Sequence, residues 1–349
     1  VTPVDEFSLI RLLTGGKQTN AFQQEGGVAV GIGDDAAVVN VNSGTQLILT
    51  CDTMTEEIHF KRITMPDRDV GFKAMASAVS DIAAMGGLPR FALISLTVPA
   101  GNNVERVRSM YEGLYDCAGR FGISIVGGDT TSSAGGITLS VTVIGETPAG
   151  QALLRSSAQP GDVVFATGYM GRSAAGLEWL LRQNLPSEQW DESAGSEHAK
   201  LVEAHCRPLP QVEAGLALSR SGVCHALNDI SDGLSSEVWE IAEASGVSID
   251  LLEERIPIAE ELRAYAAAQG RDPLEYVLTG GEDYQLLGTA AAEQALALQQ
   301  ALGEAGIALH VIGHVHSGPA GVRLIRSGGD TLTLERQGYN HFKDRKDGE

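Results

Sequence analysis

The chain has 349 residues, 43% of them apolar, and its 25 Lys+Arg against 45 Asp+Glu give a formal charge of −20. That length accommodates two domains, and that apolar share builds a core, which excludes a globally disordered chain. A surface of this sign repels phosphate backbones and anionic lipid, which argues against nucleic-acid and membrane partners.

No stretch approaches the ~18 apolar residues of a membrane span. The first residues, "VTPVDEFSLIRLL", lack the basic start and long apolar run of a secretory signal. Four scattered cysteines without a CxxC pair fit a reducing compartment, so a soluble, cytoplasmic protein is expected.

In chain order, "AVVNV", "LILTCD", "FALISLTV", "ISIVGG" and "ITLSVTVIGE" read as strands: they are β-branched and bounded by Gly, Asn, Ser or Pro. Two helices interleave, "DRDVGFKAMASAVSDIAAMGG" and "NNVERVRSMYEGLYDCAGRFG", each stopping at glycine. Residues 1–148 therefore read as one α/β unit. The segment "ETPAGQALLRSSAQPGD" carries two prolines, two glycines and little periodicity, which marks a boundary. Residues 149–349 restart with the strand "DVVFATG" and the helix "SAAGLEWLL". Further helices are expected near 197–205, 211–220, 234–245 and 290–303, with strands "VSIDLL", "DYQLLGT" and "ALHVIGHV" among them.

The stretch "VGIGDDAAVV" sets Asp34 beside Asp35. Gly31, Gly33 and Ala36 satisfy the spacing of a dinucleotide fingerprint, and Asp52 follows where a ribose ligand would stand. That motif needs a helix directly after its glycines. Here "AAVVNV" alternates like a strand, so the fingerprint reading is rejected.

The acids gather where apolar elements end. Asp52 closes "LILTCD", Asp81 lies on the helix ending "SDIAAMGG", and Asp129 follows "ISIVGG". Asp229 and Asp232 flank the turn of "NDISDGLSSE". Taken singly, Asp229 and Asp232 read equally as helix caps, and Asp81 as a solvated helix residue. As a set of oxygen donors they suit Mg²⁺, which favours a few carboxylates with phosphate oxygens and water. Two phosphorylated reactants repel: unit charges about 4 Å apart cost about 4 kcal/mol at an effective dielectric of about 20. Divalent ions held by carboxylates reverse that repulsion.

No G-x-x-x-x-G-K-[ST] loop occurs. The loop "ATGYMGRSAAG" either wraps phosphates through its amides or merely joins strand to helix. Arg155, alone among small polar residues, is a phosphate contact or plain surface. In "LTGGEDYQLL", Glu282 or Asp283 hydrogen-bonds a substrate amine or adenine, or both sit on a hairpin turn. His59 neutralises a phosphate or is an inert loop residue. His310, His314 and His316 share parity in "HVIGHVH", which fits a half-buried strand better than a zinc site. No GxSxG elbow is present.

Together, "EFSLIRLL", "GIGDDAAVV", "SDIAAMGG", "GGDTT", "LLRSSAQPGD", "DISDGLSSE", "GGEDYQLL", "VIGHV" and "GYNHF", in this order, resemble the thiamine-monophosphate kinase family. That family belongs to the superfamily of aminoimidazole ribonucleotide synthetase and selenophosphate synthetase. The resemblance spans residues 5–342. It implies a two-domain α/β PurM-like fold whose N-terminal domains dimerise, strands from both subunits forming a barrel across the interface. It implies Mg²⁺-dependent transfer of the ATP γ-phosphate to thiamine monophosphate, direct and in line.

The resemblance maps metal ligands onto Asp35, Thr50, Cys51, Asp52, Asp81, Asp129, Asp229 and Asp232, with Asp129, Asp229 and Asp232 central to catalysis. ATP contacts fall on Tyr111, Gly128, Asp129, Arg155 and Ser231, and substrate contacts on His59, Glu282 and Arg336. Two positions depart from the pattern: Cys51 stands where relatives carry Ser or Thr, and Arg336 where some carry an aromatic residue. The competing readings are another ATP-dependent member of the superfamily and a non-catalytic Mg²⁺–nucleotide-binding regulator.

Overall fold

The computed structural model describes residues 6–32, 36–99, 101, 104–187, 190 and 195–337. Asp34, Asp35 and the "GYNHF" segment lie outside them. The N-terminal half runs α1 (Glu6–Thr14), α2 (Asn20–Glu25), β1 (Val28–Val30), β2 (Val38–Val39), β3 (Thr45–Thr55), α3 (Asp67–Ala84), β4 (Leu88–Pro99), α4 (Val104–Phe121), β5 (Ser124–Ser133) and β6 (Thr138–Pro148). The C-terminal half runs β7 (Asp162–Thr167), α5 (Arg172–Gln183), α6 (Gly195–Cys206), α7 (Val212–Ser221), β8 (Cys224–Asp229), α8 (Leu234–Ser245), β9 (Ser248–Leu252), α9 (Glu260–Ala268), α10 (Pro273–Thr279), β10 (Leu286–Ala291), α11 (Ala295–Glu304), β11 (Leu309–His316), β12 (Gly321–Ile325) and β13 (Thr331–Thr333). The result is a mixed α/β fold.

Among the described residues three sheets organise it: the pair β1–β2, a four-stranded sheet β3-β6-β4-β5, and a seven-stranded sheet β13-β12-β9-β11-β7-β10-β8. Strands β1 and β2, before and after "GIGDD" in the chain, pair antiparallel, and Val38–Val39 are strand, not helix.

In the four-stranded sheet, alternation separates two faces. Ile48, Thr50, Asp52 and Met54 turn inward, whereas Leu47, Leu49, Cys51 and Thr53 are exposed. Helix α3 covers the inner face and is buried along most of its length because its residues are small: Ala74, Ala76, Ser77, Ala78, Ser80 and Ala83. Gly71 and Gly113 let α3 and α4 touch backbone to backbone. A Cβ on Gly71 would stand 1.8 Å from the Met110 carbonyl oxygen, and one on Gly113 would stand 1.7 Å from that of Arg68. The core continues from α3 into the second sheet through Phe165, Leu227 and Leu286. That continuity seats α3 against the C-terminal half.

Two expectations shift. The alanine-rich run from 290 begins as strand, since Ala290 and Ala291 still pair with β7, and the helix starts at Ala295. Strand β11 changes register between Val311 and Gly313. His310 lies against Tyr169, whereas His316 pairs with Asp250.

Candidate active site

Helix α3 and the end of β8 meet at a cavity of ≈1080 Å³. Asp229, the last residue of β8, is 3% exposed and accepts a hydrogen bond from Ser80 Oγ at 2.7 Å. The next helix residue, Asp81, accepts from the Thr50 hydroxyl. Asp52 lies two residues further along β3, on the same inward face as Thr50. Asp52, Asp81, Asp229 and Asp232 thus line one wall, with Ser231 beside them.

These carboxylates are held against their preference for water and for each other. Burial first, then Asp81, pushes Asp52 up to about 6, with a Ser77 hydrogen bond opposing. Burial raises Asp81, opposed by the Thr50 hydrogen bond and the Arg155 charge. Asp229 rises well above the usual range through burial, then Asp81, with Glu237 and Asp52 adding to it. A cation placed on this wall would offset both costs. Among the described residues no three His, Cys, Asp or Glu side chains already close on one metal position. An open set of oxygen donors is what Mg²⁺ uses when phosphates and water complete its shell.

The loop carrying Ser231 and Asp232 is fixed by Glu237 in the first turn of α8. One carboxylate accepts from Ser231 Oγ (3.2 Å), from the Asp232 amide (3.0 Å) and from Asn228 Nδ2 (2.6 Å). Burial, then Glu240, pushes Glu237 up to about 7.

His59, Glu282 and Arg336 line the same cavity. His59 Nδ1 accepts the Thr55 amide at 3.0 Å. Glu282 Oε2 pairs with Lys73 Nζ at 2.7 Å. Arg336 pairs with Glu240 at 2.7 Å and Glu243 at 3.3 Å. The two acids of "GGED" divide their work: Asp283 is buried and accepts the Gly171 amide (2.6 Å) and the Ser173 amide (3.2 Å) at the start of α5. Those amides were candidates to wrap a phosphate, and a protein carboxylate occupies them instead.

The model for the AIR synthase related protein N-terminal domain matches residues 33–147, and that for its C-terminal domain matches residues 159–325. Thiamine-monophosphate kinase of Bacillus subtilis is 41% identical over 340 residues, covering 97% of this chain and 100% of that protein. The chain belongs to the thiamine-monophosphate kinase family. Among solved structures, thiamine-monophosphate kinase from Stenotrophomonas maltophilia K279a is 33% identical with a TM-score of 0.80, covering 92% of this chain and 96% of that one. AaThiL complexed with AMPPCP and TMP is 34% identical with a TM-score of 0.75, covering 97% of each chain.

A single chain does not gather every residue that the thiamine-monophosphate kinase pattern points to. Tyr111, Gly128 and Asp129 line a second cavity of ≈900 Å³, together with Gly31, Ile32, Ala36 and Ala37 around the opening motif. Gly128 and Asp52 share a cross-strand row, Asp52–Val141–Ile94–Gly128, at opposite edges three strand spacings, about 14 Å, apart. Asp129 belongs to the neighbouring row with Ser95, Ser140 and Thr53, on the exposed face. Arg155 donates to Asn228 Oδ1 at 2.9 Å and pairs with Glu240, so it braces α8 and reaches Asp81 through its field. Cys51 is an exposed free thiol at the cavity.

Sequence reading missed Lys73, Ser80, Glu237 and His205. Lys73 carried a signal, a lone cation inside the otherwise small and apolar "GFKAMASAVS". The other three look ordinary until the fold supplies their partners.

Proposed function

We propose that this chain transfers the γ-phosphate of ATP to thiamine monophosphate, giving thiamine diphosphate and ADP. The observation that carries it is the one cavity lined by Asp52, Asp81, Asp229 and Asp232 together with His59, Glu282 and Arg336, in a chain of this family. A phosphate monoester has its second pKa at about 6, so the acceptor oxygen is ionised at neutral pH and needs no strong base. That oxygen bonds to the γ-phosphorus as the bridge to the β-phosphate breaks, and the electron pair leaves with ADP. Catalysis then reduces to alignment and charge neutralisation. Asp52, Asp81, Asp229 and Asp232 would hold Mg²⁺, which supplies positive charge between the two anionic reactants. Glu237 keeps Ser231 and Asp232 in place, and His59, Glu282 and Arg336 orient the acceptor.

Residues 1–148 and 149–349 serve as the two domains, and the functional unit is a homodimer. Leu49, 66% exposed, and Leu47, 45% exposed, lie on the open face of a four-stranded sheet whose edge strands β3 and β5 each pair on one side only among the described residues. A partner sheet closing a barrel there covers that apolar surface and those edges. Because Asp129 lies on this same face, the dimer is what carries Asp129, Gly128 and Tyr111 to a carboxylate wall, that of the other subunit. No helix among the described residues is long and apolar enough to cross a membrane, and the free cysteines fit the cytoplasm.

Incubation with ATP, Mg²⁺ and thiamine monophosphate, followed by chromatography, tests the reading. Thiamine diphosphate and ADP should appear in equal amounts. ADP formed at the same rate without acceptor, or aminoimidazole ribonucleotide formed from its amidine precursor, would assign the chain elsewhere.

A further inference from the structure

Lys73 is fully buried in the middle of α3. Its ammonium lies 2.7 Å from Glu282 Oε2 and 3.4 Å from His205 Nδ1. His205, itself 1% exposed, also meets Ser173 Oγ at 3.2 Å, and burial together with the Lys73 charge keeps the imidazole neutral. Glu282 is therefore the one carboxylate paired with Lys73 among the described residues. Glu282 is 28% exposed in its side chain and faces the cavity.

The loop that presents Glu282 is strained. Glu282 and Tyr284 hold φ of 66° and 50° without being glycine, a conformation kept only where surroundings impose it. The Glu282 amide donates to the Ser231 carbonyl at 2.7 Å and the Tyr284 amide to that of Ile230 at 2.9 Å, so the backbone is tied to the loop carrying Asp232. A buried ion pair is a poor way to gain stability, since apolar residues of similar volume often do as well or better. Strain and a buried charge at one point, on the rim of a cavity, indicate a task of orientation.

We propose that Lys73 is a positioning residue for the phosphoryl transfer: its buried ammonium reaches across from α3 and fixes the Glu282 carboxylate at the acceptor. With Oε2 held by Lys73, Oε1 has no partner among the described residues and is the oxygen offered to the substrate. The inference rests on the reading of this cavity as the thiamine monophosphate site.

Steady-state kinetics on Lys73→Met, Glu282→Gln and the double variant test it. Each single variant should raise KM for thiamine monophosphate about tenfold or more, the loss expected for one hydrogen bond to a charged group, with KM for ATP within about twofold. The double variant should match Glu282→Gln alone, because Lys73 acts through that side chain. A normal acceptor KM in Lys73→Met, an equal rise in KM for ATP, or multiplied effects in the double variant would overturn the positioning role. A normal acceptor KM in Glu282→Gln would instead overturn the reading of the cavity, and the role with it. If Lys73→Met does not fold, the double variant, which leaves no unpaired buried charge, still decides: a KM above that of Glu282→Gln contradicts the proposal.

Discussion

Ser80 donates its hydroxyl to Asp229 at 2.7 Å, which joins the middle of the N-terminal half to the last residue of a C-terminal strand. The neighbouring residue, Asp81, takes its own hydrogen bond from Thr50. Ser80 of α3 thereby orients the carboxylate that ends β8, and Thr50 of β3 orients that of Asp81 on α3. Replacing Ser80 by Ala leaves Asp229 buried without that donor, so its charged form becomes harder to reach. The Mg²⁺ concentration for half-maximal activity should rise about tenfold, the usual scale for groups that orient ligands, with maximal rate largely recovered at high Mg²⁺. A magnesium titration of activity checks this.

The proposed role of Asp52 on the metal-binding wall would come at the expense of stability. Burial and Asp81 hold its carboxyl at about 6, so at pH 8 the cation-free protein carries repelling charge on this wall. Asp52→Asn should raise the melting temperature by roughly 2–4 °C in EDTA at pH 8, equivalent to about 1 kcal/mol, and lower turnover by about 100-fold or more. Calorimetry and a turnover assay on the same preparation separate the two effects.

Asp283 caps α5 from another loop through the Gly171 and Ser173 amides. Asp283→Ala leaves both amides without that acceptor and should cost about 2 kcal/mol. Burial raises the folded-state value of Asp283 from 3.8 to about 7, so the folded chain retains a proton that the unfolded chain has released. The associated stability is present below the unfolded value and is lost as pH rises through about 7. The stability gap between wild type and Asp283→Ala should therefore narrow from pH 5 to pH 8, as read from denaturant curves at each pH.

Because Asp129 and Asp229 line different cavities of one chain, subunit complementation is informative. If Asp129 serves the partner's site, mixing inactive Asp129→Asn and Asp229→Asn chains restores one intact site per mixed dimer. Activity should recover to about a quarter of wild type after random exchange, half of the dimers being mixed and each carrying one site of two. Recovery should vanish, and sedimentation should report monomers, when Leu49→Lys places charge on the exposed sheet face.

Much of this site was legible in the residues, for local reasons. Asp52, Asp229 and Asp232 stand at ends of apolar runs, where a strand must give way to a loop, and "GGED" announces a turn with an acid on it. What sequence could not supply was register and depth. That Asp52 and Asp129 sit on opposite faces depends on strand pairing across β6 and β4. Ala290 and Ala291 look helical by composition, yet they continue β10, with Ala290 buried between β7 and β8 and Ala291 pairing with β7. The importance of Glu237 and His205 comes from partners on other elements, which no local pattern encodes.

Calorimetric titration of the wild-type protein with thiamine monophosphate and a non-hydrolysable ATP analogue, in EDTA and in excess Mg²⁺, addresses the carboxylate wall most directly. The expected result is simultaneous binding of both phosphorylated ligands only with Mg²⁺, and its loss in Asp229→Asn. Equal affinities for both ligands in EDTA, unchanged by Asp229→Asn, would contradict a site in which carboxylates hold the cations that reconcile two anions.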